Sequence, residues 1–429
     1  MPSPRRRAAR VLALPLLLLG LAAAPAAAQD ATDFDRIAAD TAERRELPIE
    51  SDIVEAFLTR PELGQRLLEI LAEDYPPAEI AADERALKAF GLIEADLDLG
   101  AFVLDLYTEQ IAGFYDPATD GMYVIGADDE LGADEEFTYS HEVIHALQDQ
   151  AFDLEAVQAA VEDGTNDDRA IAISALIEGD AVSGSIEYVA SHPVLAGRLL
   201  LVDIPATPVF DGAPPLIAQG LLFPYLAGQA FVAALRAEGG WDSVNAAYAD
   251  PPASTEQVLH PEKYLDRDDP TAVALPADLG DALGAGWTKA EENNFGEFQT
   301  SVLLADLALG EGFDAVGGSS LPEAVVAAAA GWDGDRYAVW ANGDRDSIVW
   351  RSVWDSDEDA VEFATALQAR EAGRFNASVD ASGDGRDDDA ILLADDVAVR
   401  VATVGAEVFY VLAPDADLAE SALEALRAA

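Results

Sequence analysis

The chain has 429 residues, no cysteine, 25 lysines and arginines against 81 aspartates and glutamates, and a formal charge of −56. Without cysteine there is no disulfide, thiol nucleophile or thiolate metal site, so any metal must be held by histidine and carboxylate. A surface this acidic repels nucleic acid and anionic membrane, which excludes both as partners, while the length allows two or three domains with cores of their own.

Taken in order, residues 1–28 read as a signal peptide. Arg5, Arg6, Arg7 and Arg10 form a basic start, residues 11–24 an apolar run, and Ala26-Ala27-Ala28 a small-residue cleavage site before Gln29. The protein is therefore expected to be exported, extracellular or periplasmic, and free of the membrane once cleaved. The apolar run is too short to span a bilayer, and no later stretch is expected to match it without charges. Removing its four arginines takes the formal charge from −56 to −60 and leaves Lys88, Lys263 and Lys289 as the only lysines. Excess acid with so little lysine is the pattern of a halophilic or salt-tolerant protein, in which counterions screen self-repulsion. The melting temperature should accordingly rise as potassium chloride is added; a flat or falling curve would count against this reading.

Residues 29–104 read as a helical lobe, with helical spacing of apolar positions in 53–58, 63–71 and 84–90 between Pro61 and Pro76-Pro77. It shows no catalytic constellation. A further helix is expected over 104–111. Residues 112–115 and 122–125 then read as a hairpin around an Asp-Pro-Ala-Thr-Asp-Gly turn. Its edge could accept an extended peptide by strand addition, or it could be a plain surface hairpin.

The next element carries the chemistry. Residues 134–150 predict a helix, with Asp134, Glu135 and Glu136 in its first turn and Phe137, Ile144 and Leu147 as an apolar stripe. On it lies His141-Glu142-Val143-Ile144-His145. Residues four apart on a helix share a face, so the two imidazoles can converge on one zinc ion while Glu142 sits beside the metal's open position. With only four histidines in the chain, this spacing is unlike a chance match. Asp149, one turn past His145, reads either as a group that orients the site or as a solvated helix end.

A second helix is expected from 167 to 190. It carries Ile177-Glu178-Gly179-Asp180-Ala181 in an apolar setting. A charge there is costly unless paired or ligating, which makes Glu178 the leading third ligand; Asp180 is a lesser candidate. His192, before a proline, reads as surface. Residues 193–215 read as a Pro-rich loop and 216–249 as two helices broken at Gly239-Gly240. Ser254 and Gln257 predict a capping box for a short helix stopped by Pro261. His260 and Tyr264 could donate a hydrogen bond to the oxyanion formed in amide hydrolysis; His260 reads equally well as a histidine packed at a helix end.

Residues 281–332 are expected to be mostly helical, chiefly 295–309. Beyond 333 the pattern changes to strands at 337–341, 348–354, 397–404 and 407–412 with helices near 357–372 and 416–428, a small α+β domain. Within it, Asp380, Ser382, Asp384 and Gly385 fit the first half of a calcium loop, but position twelve is Ile391 where a bidentate glutamate is needed. Calcium is thus a weak second metal beside one catalytic zinc. The fold class read from the chain is α+β, predominantly helical.

The HExxH run with Glu178 on a later helix resembles the gluzincin metallopeptidases, the group that includes thermolysin. It is unlike the metzincins, since Ala146-Leu147-Gln148-Asp149-Gln150 supplies no third histidine. The runs 141–150, 177–181 and 254–264 together resemble uncharacterised secreted bacterial metallopeptidase-like proteins, over roughly residues 105–310. The resemblance implies a zincin-like core with an edge strand above the active helix, His141, His145 and Glu178 as zinc ligands, and Glu142 as general base acting on zinc-activated water. It departs at one point: thermolysin-like enzymes have an aspartate four residues after the third ligand, where this chain has Val182. Two functions follow, a secreted zinc peptidase acting on peptides or proteins, or an exported binding or scaffold protein that keeps the fold without catalysis.

Overall fold

The computed structural model describes residues 32–428 apart from 111–112, 118, 120, 126–131, 160, 162–164, 203–206, 310–320, 382–388 and 395, so residues 1–28, read as a signal peptide, and most of the calcium-like stretch lie outside the described residues. The first part runs α1 (Thr32–Arg45), β1 (Val54–Leu58), α2 (Arg60–Asp74), α3 (Pro77–Phe90) and α4 (Leu99–Gln110). The hairpin β2 (Gly113–Asp116) and β3 (Gly121–Ile125) leads into α5 (Ala133–Phe152). A helical stretch follows: α6 (Leu154–Gln158), α7 (Asp167–Ser191), α8 (Pro193–Leu199), α9 (Pro208–Asp211), α10 (Pro215–Gly239), α11 (Trp241–Ala247), α12 (Thr255–Leu259), α13 (Pro261–Asp266) and α14 (Leu279–Leu283). The last part is β4 (Thr288–Asn293), α15 (Gly296–Leu309), α16 (Glu323–Ala329), β5 (Trp332–Asn342), β6 (Arg345–Trp354), α17 (Asp357–Phe375), β7 (Asp380–Ala381), β8 (Asp389–Ala394), β9 (Val397–Val404), β10 (Glu407–Ala413) and α18 (Ala416–Arg427). The fold is α+β and predominantly helical, as the patterning implied.

Two sheets organise these elements. The small one has the order β1-β3-β2, with β1 parallel and β2 antiparallel to β3. The large one has the order β4-β5-β6-β10-β9-β8-β7, antiparallel throughout. Residues 54–58, read as helical, are therefore a strand: five residues are too few for periodicity to decide, and register with β3 does. Residues 288–293, also read as helical, form the edge strand β4. The 193–215 stretch contains two short helices rather than a loop alone. Asp380 pairs with Ile391, the first and twelfth positions of the supposed calcium loop, in an antiparallel ladder. The ends of the supposed loop thus lie in the paired strands β7 and β8, and residues 382–388 between them lie outside the described residues.

α5 is buried on every side from Thr138 to Gln148. Gly132 N–H donates to Glu135 Oε2 at its start, satisfying one of the free amides of the first turn. It packs against α7, α1 and β2, and α7 in turn packs along α10. There the backbones meet at two glycines: a Cβ on Gly179 would stand 2.1 Å from the Gly228 carbonyl carbon, and one on Gly228 2.1 Å from Ala175 O. This close crossing brings Glu178 on α7 and Tyr225 on α10 toward α5. Gly179→Ala should therefore destabilise the fold by about 3 kcal/mol or more, since backbone rather than a flexible side chain blocks the methyl group. Denaturant unfolding would read this as a lowered midpoint; an unchanged midpoint would refute the crossing.

α10 is also long and apolar enough to cross a membrane by length and composition. This corrects the expectation that no later stretch is so apolar: residues 213–235 carry no charge. Its apolar content has a local cause. Leu216, Ile217, Leu221, Phe223, Phe231, Val232 and Leu235 are buried in the protein's own core.

That core is shared between parts of the chain that read as separate. Phe90, at the end of α3, stands edge-on to Phe295 (4.9 Å between centroids) and Tyr337 (5.1 Å), and Phe295 to Trp350 (5.1 Å). Arg370 and Arg374 of α17 donate to the Phe90 and Ala89 carbonyls, satisfying the open end of α3. Asp335 of β5 accepts from the Phe295 and Gly296 amides and from the indoles of Trp332 and Trp350, which fixes the start of α15. The far face of the large sheet is covered by α14 and α18.

Candidate metal centre

α5 sets His141 and His145 one turn apart, and α7 brings Glu178 against them. His141 Nε2 lies 3.1 Å from Glu178 Oε2 and 3.1 Å from His145 Nε2, and His145 Nε2 lies 3.5 Å from the same carboxylate oxygen. All three residues are buried, and among the described residues they are the one group of His and carboxylate side chains whose atoms converge so closely. Zinc arms of about 2.0–2.2 Å in a tetrahedron put neighbouring ligand atoms roughly 3.3–3.6 Å apart. The triangle is close to one face of that size.

The charges suit a cation. Burial alone would push the His145 imidazole down, but the Glu178 carboxylate, with Glu142 behind it, brings it up to about 9. Burial would raise Glu178, yet the charge of His145 and hydrogen bonds from both imidazoles hold it at about 2. Glu178 Oε1 and His141 Nδ1 are buried without hydrogen-bond partners, so polar capacity is left over at the site. The donor set and its spacing fit zinc.

Around the ligands the structure adds residues that the sequence did not single out. Glu142 is 3% exposed, and its carboxylate accepts a hydrogen bond from the Tyr115 N–H of β2. Burial raises it above the usual carboxylate range against the pull of His145 and His141. Gln148 Oε1 lies 2.8 Å from His145 Nδ1, while its amide nitrogen donates to Ile177 O and Asp180 Oδ2 at 3.0 Å each. Two acceptors fix which way the amide points, so Nδ1 carries the hydrogen and Nε2 keeps its lone pair toward the other ligands. Gln148 follows His145 by three residues on the same face, a signal the sequence did contain. Tyr225, on α10, lies over His141 with centroids 6.1 Å apart and planes at 28°. Nothing in its apolar surroundings marked it beforehand.

Residues 284–423 match a family model described as a domain of unknown function (DUF8575). No curated protein and no solved structure matches the chain. The DUF8575 stretch takes in β4 through β10 and ends within α18; His141, Glu142, His145 and Glu178 all lie before it.

The other expected site residues are placed elsewhere. Asp180 Oδ2 accepts from Arg45, Gln148 and Tyr248, and Asp180 Oδ1 from Arg45, so it supports the ligands and is not one of them. Asp149 accepts from the Tyr115 hydroxyl and the Leu154 amide, tying β2 and α6 to the end of α5. His260 caps α12, its Nε2 3.0 Å from Glu297 Oε1. Tyr264 donates to the Asp250 carbonyl and packs edge-on against Phe231. The hydrogen bonds, ion pairs and ring contacts described for these two residues do not reach His141, His145 or Glu178. Ser254 caps its helix as expected, its Oγ accepting from Gln257 N–H, but the return bond of a capping box is displaced by one residue: Gln257 Oε1 accepts from the Ala253 amide. His192 is tied to Tyr188 O and Asp40 at a helix end.

Proposed function

We propose that the protein is an exported zinc-dependent peptidase of gluzincin type. The observation that carries this reading is the convergence of His141, His145 and Glu178 with Glu142 buried beside them. Bound zinc would supply Lewis acidity, polarising a peptide carbonyl and making water a stronger acid near neutral pH. Glu142, a desolvated carboxylate held by the Tyr115 amide, takes the proton of the attacking water and returns it to the leaving amine nitrogen. β2 is the edge strand of its sheet and packs on α5, where it can align an extended substrate chain. Tyr225, whose ring lies beside His141, is a third candidate for the oxyanion donor together with His260 and Tyr264.

The test is elemental analysis and a casein-type hydrolysis assay on one preparation of mature protein at high salt. One zinc per chain is expected, with hydrolysis lost on chelation and restored by zinc. Zinc without any hydrolysis would favour the binding or scaffold reading. No zinc would remove the metal centre altogether.

A further inference from the structure

We infer that Arg45, the last residue of α1, is a positioning residue of the metal centre and acts on His145 through Asp180 and Gln148. This rests on reading the His141, His145 and Glu178 cluster as a metal site. Arg45 is fully buried, an environment that a guanidinium enters only with partners. It has them on two sides. Nε and Nη2 form a fork on Asp180, 2.5 Å from Oδ1 and 2.9 Å from Oδ2, and Nη2 also donates to Asn245 Oδ1 at 2.7 Å. The guanidinium lies 4.3 Å from the centre of the Trp241 ring, whose Nε1–H donates to the Arg44 carbonyl and so pins the end of α1.

The fork determines how Asp180 is turned. Its Oδ2 also accepts from Tyr248 Oη at 2.7 Å and from Gln148 Nε2 at 3.0 Å. Gln148 then has its nitrogen committed to Asp180 and to Ile177 O, the carbonyl just before the ligand Glu178, and its oxygen committed to His145 Nδ1. Were the amide reversed, its NH2 would face Nδ1, and the imidazole hydrogen would move to Nε2, where a metal needs the lone pair. Arg45 thus stabilises one ring tautomer at the far end of a chain of three side chains. α1, packed against α5 and α7, thereby belongs to the framework of the centre. Val182 stands four residues after Glu178, so no carboxylate is there; Asp180, two residues after Glu178 on the same helix and gripped by Arg45 of α1, reaches His145 through Gln148 instead.

The experiment is zinc affinity by chelator competition on the full mature chain, for wild type, Arg45→Lys, Gln148→Leu and the double variant, with Co(II) absorption spectra of each. Lysine keeps the charge but loses the planar fork. Each single variant should bind zinc about 10–100-fold more weakly, with an altered Co(II) spectrum, and the double should be no weaker than the weaker single, because both cut the same chain. A merely structural Arg45 would lower the apo-protein's melting temperature and leave affinity and spectrum alone. Affinity within about twofold of wild type in Arg45→Lys, or losses that multiply in the double, would overturn the inference. If Arg45→Lys does not fold, Asp180→Asn takes its place with the same expectations. Wild type that binds no zinc would overturn the metal reading itself, an outcome distinct from zinc-binding wild type with unaffected variants.

Discussion

Glu142→Gln is expected to lower hydrolysis by about 10³-fold while zinc stays at one per chain. The substitution is nearly isosteric, and its amide oxygen can still accept the Tyr115 N–H that now holds the carboxylate. What it removes is the ability to take a proton. Glu142 is not among the three converging ligands, so metal content should be unchanged. It is buried at 3% exposure, and among the described residues it forms no ion pair and caps no helix that would explain a charge at that depth. Hydrolysis that persists at the wild-type rate in this variant would show that the activity comes from another site or from a contaminant, and the non-catalytic reading would gain. A circular dichroism spectrum and melting curve like those of wild type would show that the fold is intact.

Glu178→Ala is expected to weaken zinc binding by more than about 100-fold, beyond what the loss of an orienting partner costs. Two imidazoles remain 3.1 Å apart, and the carboxylate that balances them is gone. Asp180, two residues on, cannot move in to replace it, since Arg45, Gln148 and Tyr248 hold both of its oxygens. Chelator competition gives the readout. Retained wild-type affinity would mean that a ligand other than Glu178 completes the site. The same variant should also unfold more easily without metal, because a buried imidazole loses the partner that keeps its charge favourable.

The residues of the candidate site were legible because they obey local geometry: two histidines four apart on one helix, and one carboxylate stranded in an apolar helix. What surrounds it was not, because it depends on contacts between residues far apart in the chain. Arg45 and Asp180 are separated by 135 positions, and neither is unusual for its own helix. Tyr225 meets His141 only because Gly179 and Gly228 let α7 and α10 touch backbone to backbone. His260 and Tyr264 looked functional by residue type, and their partners, Glu297 and the Asp250 carbonyl, are set by packing that no motif encodes. β5, β6, β9 and β10 were read from alternation, whereas β1, β4, β7 and β8 were missed because each is short and gains its identity from a neighbouring strand.

Phe90 has one further consequence. Its ring is lodged among Phe295, Tyr337 and Trp350, so the stretch that matches DUF8575 has part of its interior supplied from some two hundred residues upstream. Cut out at residues 284 and 423, that stretch would carry an open apolar face and would lose the α3 carbonyls that Arg370 and Arg374 satisfy. The sequence family and the cooperative unit are different objects here. Heating should melt the ligand helices and the large sheet in a single transition, and selection on the sheet's interior acts at the same time on the scaffold of the metal site.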